Sequence, residues 1–171
     1  MFRVGSLLFA CVVAVGACLS LGCSAGGSDG GETGADVSPR TGVWFYDEGA
    51  NVSDSCMVPG WDVDNSTEFG LTNNGDGSFT VVREGQDIEC TVSGEDFSCL
   101  AVSLDPIMQA GIDATFNLEV TYVGNFTSDT SLDGERTIDV SCTGSACEAA
   151  ATSLMTSFPC AIVDGFSASS N

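Results

Sequence analysis

The sequence contains 171 residues with 24 carboxylates, four arginines, no lysine and no histidine, which gives a net charge of −20. This length suits a single domain with a buried core. The negative charge excludes a surface built to bind nucleic acid, and the absence of histidine excludes Ser-His and Cys-His nucleophile pairs and imidazole metal ligands.

The first 22 residues have the layout of an export signal. One charged residue, Arg3, precedes an uncharged and mostly apolar stretch over residues 4–21, and Gly22 comes directly before Cys23. A positive start, an apolar stretch and a small-residue cleavage region are typical of a signal peptide. The alternative is an uncleaved N-terminal anchor, because the apolar stretch is just long enough to span a bilayer.

This region resembles a bacterial lipoprotein signal, in which an aliphatic residue and two small residues precede the cysteine that receives lipid. Val15-Gly16-Ala17-Cys18 matches at every position, whereas Ser20-Leu21-Gly22-Cys23 matches well only at its last two. Cys23 is the predicted lipidation site, with Cys18 as the alternative, because a polar linker and an even number of cysteines follow Cys23. The resemblance implies a membrane attachment through lipid, and Ser24, where Asp would signal inner-membrane retention, implies the outer membrane.

The composition changes after the signal and again near residue 40. Residues 23–40 are rich in Gly, Ser and Asp, which predicts a flexible tether to a domain at residues 41–171. All 24 carboxylates and three of the arginines lie beyond Cys23, so that part of the chain carries a net charge of −21. A protein with this surface charge stays soluble and repels anions.

Six cysteines follow Cys23, and an even number in an exported chain predicts three disulfides. The strongest pairing lies in a predicted hairpin. A two-residue turn at Gly94-Glu95 places Cys90 opposite Cys99 at a non-hydrogen-bonded site, where the Cα atoms lie close enough for a disulfide.

The positions of the other four cysteines predict their pairing. Cys142 and Cys147 flank a tight loop and are expected to pair with each other, which leaves Cys56 and Cys160 to join the two ends of the domain. No metal site and no cofactor are expected, since the chain has neither histidine nor a Cys-x-x-Cys pattern.

Beyond the tether, apolar and polar residues alternate with a period of two. Residues 78–83 and 86–92 form a predicted hairpin, the Cys90–Cys99 hairpin follows at once, and clear alternation returns over residues 115–122 and 137–142. Consecutive tight hairpins indicate a meander. The prediction is an all-β, antiparallel up-and-down barrel of about seven to eight strands, with a β-sandwich as the alternative.

One segment near the C-terminus departs from this pattern. Ser145 and Glu148 have the spacing of a capping box, and the alanine-rich run over residues 149–155 predicts a short helix that ends before Phe158-Pro159. A last strand is predicted over residues 160–166.

Thr41-Gly42-Val43-Trp44 resembles the Gly-x-Trp entry of lipocalin-like barrels, and a late helix before a final strand is similar as well. The resemblance covers the layout of residues 41–168. It implies that Trp44 closes one end of the barrel, with Arg136 as the candidate for the barrel-closing arginine.

These features predict a surface-tethered envelope lipoprotein that is not an enzyme. Its expected role is to bind a small apolar ligand inside the barrel. The alternative is an interaction, adhesion or structural module without a cavity, which acts on an envelope protein partner. The aromatic residues that either line a ligand pocket or fill the core are Trp44, Tyr46, Trp61, Phe79, Phe116 and Tyr122.

Overall fold

Hairpins follow one another along most of the chain. The computed structural model describes residues 37–58, 67–83, 85–108 and 110–171. Within these ranges the elements are β1 Gly42–Asp54, β2 Glu68–Asn73, β3 Ser78–Arg83, β4 Gln86–Ser93, β5 Asp96–Cys99, β6 Val102–Ser103, β7 Ile107–Met108, β8 Thr115–Ser128, β9 Ser131–Thr143, α1 Cys147–Leu154 and β10 Cys160–Ser170.

Eight of these strands close into an antiparallel barrel. Hydrogen-bonded neighbours follow the order β5-β4-β3-β2-β1-β10-β9-β8, and β5 also pairs with β8, so the path returns to its start. The predicted all-β meander barrel is therefore confirmed. The sandwich alternative is wrong, because closure joins the strands into one continuous sheet rather than two facing ones.

A glycine turn sets the register of the hairpin formed by β4 and β5. Ser93 pairs with Asp96 and Cys90 with Cys99, as the sequence predicts. Gly94 has a φ of 67°, which the first central position of a type II′ turn requires. The Cα atoms of Cys90 and Cys99 lie 3.9 Å apart and the two residues form a disulfide.

Two further disulfides join the same cysteine pairs as the sequence predicts. Cys142 and Cys147 are linked across the loop between β9 and α1. Cys56 and Cys160 are linked across a sequence separation of 104 residues, which ties the segment after β1 to the start of β10. The long closed loop restricts the unfolded chain more than the two short ones do.

The segment before β1 crosses one end of the barrel. The backbone N–H of Val37 donates to the carbonyl of Gly94 in the β4–β5 turn, and that of Arg40 donates to Asp129 in the β8–β9 turn. Residues 37–40 were predicted as tether from their composition. They instead belong to the folded body, because their backbone groups hydrogen-bond to turns of two different hairpins.

Trp44 lies directly beneath this segment and has no exposed surface. Its indole Nε1 donates to the carbonyl of Arg40 at 2.9 Å. The ring stacks against Phe69 at 6.3 Å and meets Phe126 edge-on at 6.2 Å between centroids. Trp44 therefore closes this end of the barrel, as the lipocalin-like resemblance implies.

At the other end, β8, β9, β10 and the last part of β1 extend beyond the closed barrel. β5 pairs with β8 only around residues 123–125, whereas β6 and β7 pair with β8 over residues 115–120. Ala150 of α1 is buried in the apolar cluster on the inner face of this extension. None of the described helices is long and apolar enough to cross a membrane.

The predicted capping box at Ser145 is wrong. Helix α1 begins after Ala146, which makes no side-chain capping hydrogen bond. Ser145 instead donates both its backbone N–H, at 2.9 Å, and its hydroxyl, at 2.8 Å, to the carboxylate of Asp113. In a capping box Glu148 would accept the hydrogen bond from the Ser145 N–H, but Asp113 accepts it instead and α1 begins one residue later.

Replacing Asp113 with alanine is expected to lower the melting temperature at neutral pH. The hydrogen bonds from the backbone and side chain of Ser145 hold the pKa of Asp113 below its ordinary value of 3.8. A carboxyl group with a lowered folded-state pKa stabilises the protein above its unfolded pKa and loses this effect as the pH falls. The deficit should therefore disappear well below pH 3.8.

Thermal unfolding over a pH series measures this effect. The matched control is Asp105→Ala, which removes an exposed carboxylate from the same connection between β6 and β8. A deficit in the Asp113 variant that persists unchanged at low pH would contradict the assigned role of its charge.

Candidate functional site

The inner face of the barrel carries two apolar clusters separated by a polar layer. The first cluster, at the closed end, contains Trp44, Phe79 and Phe126. The second, on the extension, contains Phe116 and Ile138. The layer between them arises because the inward-facing positions of β9 and β10 change from apolar to charged and back to apolar.

The polar layer is centred on Arg136, whose side chain is 1% exposed. Its Nη2 donates to Asp164 Oδ2 at 2.9 Å and to Glu48 Oε1 at 2.8 Å. Asn51 Nδ2 donates to the other oxygen of Asp164 at 2.8 Å. Burial opposes the charge of Arg136, but the hydrogen bond to Asp164 and the nearby charges of Glu48 and Asp164 raise its pKa above the ordinary value.

Arg136 does not perform the barrel-closing role that the resemblance implies. It pairs with Asp164 on β10, whereas Trp44 pairs with Ser170, six residues further along that strand. The arginine therefore lies at the inner boundary of the first cluster, away from the closed end. Its two carboxylate partners, rather than the indole of Trp44, hold it there.

Both tyrosines of the chain lie beside this layer. The guanidinium carbon of Arg83 lies 4.7 Å from the ring centroid of Tyr46, and Arg83 Nη1 donates to the hydroxyl of Tyr122 at 3.3 Å. Phe166 stacks on Tyr46 at 5.2 Å and meets Tyr122 edge-on at 6.0 Å. Strands β1, β3, β8 and β10 thus contribute to one aromatic and cationic group.

A cavity of about 40 Å³ lies within the first cluster, next to this group. It has room for about three water molecules or an apolar group of similar size. Val81, Arg83 and Tyr122 are half-buried and form its rim. The residues that line it are Tyr46, Phe69, Phe79, Val81, Arg83, Ile88, Phe97, Cys99, Tyr122, Leu132 and Phe166.

Two glycines make room for the rings at this cavity. Gly124 and Gly134 pair with each other on β8 and β9. A Cβ atom on Gly124 would lie 2.8 Å from Phe97, and one on Gly134 would lie 2.8 Å from Phe166. Any larger residue at these positions would therefore collide with the backbone of the partner strand as well as with rings that line the cavity.

Burial raises the pKa of Tyr46 to about 12, although the charges of Arg136 and Arg83 oppose this shift. The phenol is therefore neutral at physiological pH. Its hydroxyl oxygen is buried and has no hydrogen-bond partner among the described residues. A buried donor without a partner is uncommon in folded proteins.

The structure brings together three of the six aromatic residues singled out in the sequence. Tyr46, Phe79 and Tyr122 line the cavity. Trp44 belongs to the same cluster but closes the far end, and Phe116 packs against Phe158 in the second cluster, at 5.3 Å between centroids. Trp61, and the lipidation candidates Cys18 and Cys23, lie outside the described residues.

Sequence reasoning named Arg136, although for closing the barrel, and missed the other polar members of the site. Arg136 and Asp164 occupy inward positions in otherwise apolar alternation, between Leu132 and Ile138 on β9 and between Ile162 and Phe166 on β10. Extending the period of two by a few residues along each strand would have identified them. Arg83, at the end of β3, gives no comparable signal.

Comparison with protein families, curated proteins and solved structures finds no match to this chain. Within the described ranges, no group of three or more Cys, Asp or Glu side chains is arranged to hold a metal ion. The residues that line the cavity make it an apolar enclosure with hydrogen-bond donors on Tyr46, Tyr122 and Arg83.

Proposed function

We propose that this protein is an exported, lipid-anchored β-barrel that binds a small, mainly apolar molecule inside the barrel and performs no catalysis. The observation that carries the binding role is the aromatic-lined cavity in the first cluster. Small-molecule sites are typically concave and apolar with a few placed polar groups. The glycines at Gly124 and Gly134, which let the rings of Phe97 and Phe166 approach the backbone, support a shaped enclosure.

The proposed location rests on the N-terminal sequence and on the disulfides. The signal-like stretch leads to Cys23, with Cys18 as the alternative lipidation site, and the proposed membrane is the outer membrane. Three disulfides join all six cysteines beyond Cys23. Disulfides form and persist in oxidising compartments, which supports an exported protein.

The proposal of a non-catalytic role rests on the side chains near the cavity. The chain has no histidine or lysine to serve as a general base or nucleophile. The two carboxylates of the polar layer, Glu48 and Asp164, both accept hydrogen bonds from Arg136. Both carboxylates are thus used to neutralise a buried cation.

Native mass spectrometry of the protein isolated from its own membranes tests the binding role. We expect an extra mass that departs on denaturation, and we expect Val81→Ile to reduce its occupancy about fivefold or more, because the added methyl group enters the cavity. Val82→Ile is the matched control, since Val82 is exposed and faces outward. A clean mass in every preparation would instead favour a structural or interaction role with an envelope protein.

Intact-mass analysis of the isolated protein tests the anchor. We expect a chain that begins at Cys23 and carries acyl chains. Cys23→Ser should abolish the modification, and Cys18→Ser should leave it in place. An unmodified N-terminus, or loss of lipid only in the Cys18 variant, would overturn the assignment of Cys23.

A further inference from the structure

The polar atom that the cavity leaves without a partner is the hydroxyl of Tyr46. Tyr46 is 9% exposed and lines the cavity, and its hydroxyl oxygen has no hydrogen-bond partner among the described residues. Buried hydroxyls normally form hydrogen bonds, so this position indicates a partner supplied from outside the chain. The rest of the lining is almost wholly apolar and offers a water molecule few further hydrogen bonds, which favours an atom on a mainly apolar molecule as the partner.

The groups around this hydroxyl decide which kind of atom it meets. The phenol is protonated at physiological pH and can donate. Arg83, which covers the ring of Tyr46, carries only donors, and the hydroxyl of Tyr122 accepts one of them. The polar groups that face a molecule in the cavity therefore offer mainly donors, and an acceptor on that molecule satisfies them.

The charge of the protein decides between a neutral and an anionic acceptor. The chain beyond Cys23 carries a net charge of −21, which repels anions as they approach. Both cations near the cavity already have partners. Arg136 binds Glu48 and Asp164, and Arg83 donates to the hydroxyl of Tyr122. A carboxylate inside an apolar cavity needs a dedicated charge partner, whereas a carbonyl or ether oxygen needs only one donor.

We propose that the cavity binds a small uncharged molecule with an apolar body and one carbonyl or ether oxygen, which accepts a hydrogen bond from the hydroxyl of Tyr46. The body contacts the rings of Phe79, Phe97 and Phe166, and the oxygen lies on the side of Tyr46. This inference rests on the proposed binding function and adds the chemical class of the ligand.

Methyl NMR of the full-length protein, held in nanodiscs where it carries lipid, tests the inference. The chain has five isoleucines, of which Ile88 lines the cavity whereas Ile107 and Ile112 are exposed and report non-specific binding. Three probes are titrated separately: acetone, isobutene and acetate. They share one planar shape of four heavy atoms, close to the size of the cavity, and differ in having a neutral acceptor, no acceptor or a negative charge.

We expect acetone to shift the Ile88 signal at concentrations that leave Ile107 and Ile112 unchanged, and to bind more tightly than acetate. Tyr46→Phe removes only the hydroxyl. It should weaken the binding of acetone about fivefold or more and leave the affinity for isobutene undiminished, which shows that the cavity is intact. Each probe is compared between the two variants, because a hydrocarbon leaves water more readily than a ketone does.

The outcomes separate this inference from the proposed function. If Tyr46→Phe leaves the affinity for acetone unchanged, the role of Tyr46 is overturned while apolar binding stands. If the anion binds most tightly, the assignment of an uncharged ligand is wrong. If no probe shifts Ile88, the cavity holds only water and the proposed binding function fails as well.

Discussion

Replacing Trp44 with alanine is expected to destabilise the barrel by about 3–5 kcal/mol, the usual cost of truncating a buried tryptophan. The indole is fully buried between Phe69 and Phe126 beneath the segment that crosses the barrel end. Its removal also leaves the carbonyl of Arg40 without the hydrogen bond from Nε1. Urea unfolding followed by far-ultraviolet circular dichroism measures the loss.

The neighbouring residue provides the control for this substitution. Val43 is 56% exposed on the opposite face of β1, so Val43→Ala should change the free energy of unfolding by less than about 0.5 kcal/mol. The comparison isolates the closing role of the indole from general effects on the strand. Equal effects of the two substitutions would show that Trp44 does not hold this end of the barrel closed.

Asp164→Asn is expected to lower the free energy of unfolding by about 3 kcal/mol, the lower end of the range for breaking a buried ion pair. The substitution keeps the shape of the side chain but removes its charge, while Arg136 remains buried. Glu48 still offsets part of the positive charge, which places the loss at the lower end. Urea unfolding at neutral pH gives the value.

Glu48→Gln is the matched control, because it makes the same kind of change on the other partner of Arg136. The side chain of Glu48 is one-third exposed, so water already screens its interaction with Arg136. The expected loss in the free energy of unfolding is therefore below about 1 kcal/mol. Replacing both members of the buried pair, by Arg136→Met with Asp164→Leu, should recover most of the stability. If Asp164→Asn costs no more than Glu48→Gln, the buried pair does not stabilise the polar layer.

Much of the architecture follows from interactions between residues close together in the chain. The turn at Gly94-Glu95 determines which residues of β4 and β5 face each other, and the pairing of Cys90 with Cys99 follows by counting outward. Alternation of apolar residues predicts β8 and β9 because a strand places every second side chain on the same face. These features depend on turn geometry and local periodicity, which the sequence displays directly.

The sequence by itself therefore determined β3, β4 and β5, parts of β8, β9 and β10, the consecutive hairpins and the disulfide pairing. Only the tertiary structure decided that the sheet closes, because the β5–β8 and β1–β10 contacts join strands far apart in the chain. It also decided that Ser145 binds Asp113 rather than capping α1, and that Arg136 meets Asp164 and Glu48. The cavity beside Tyr46 belongs to this second group. Its shape depends on which inward side chains of separate strands meet in space, and no local pattern specifies that.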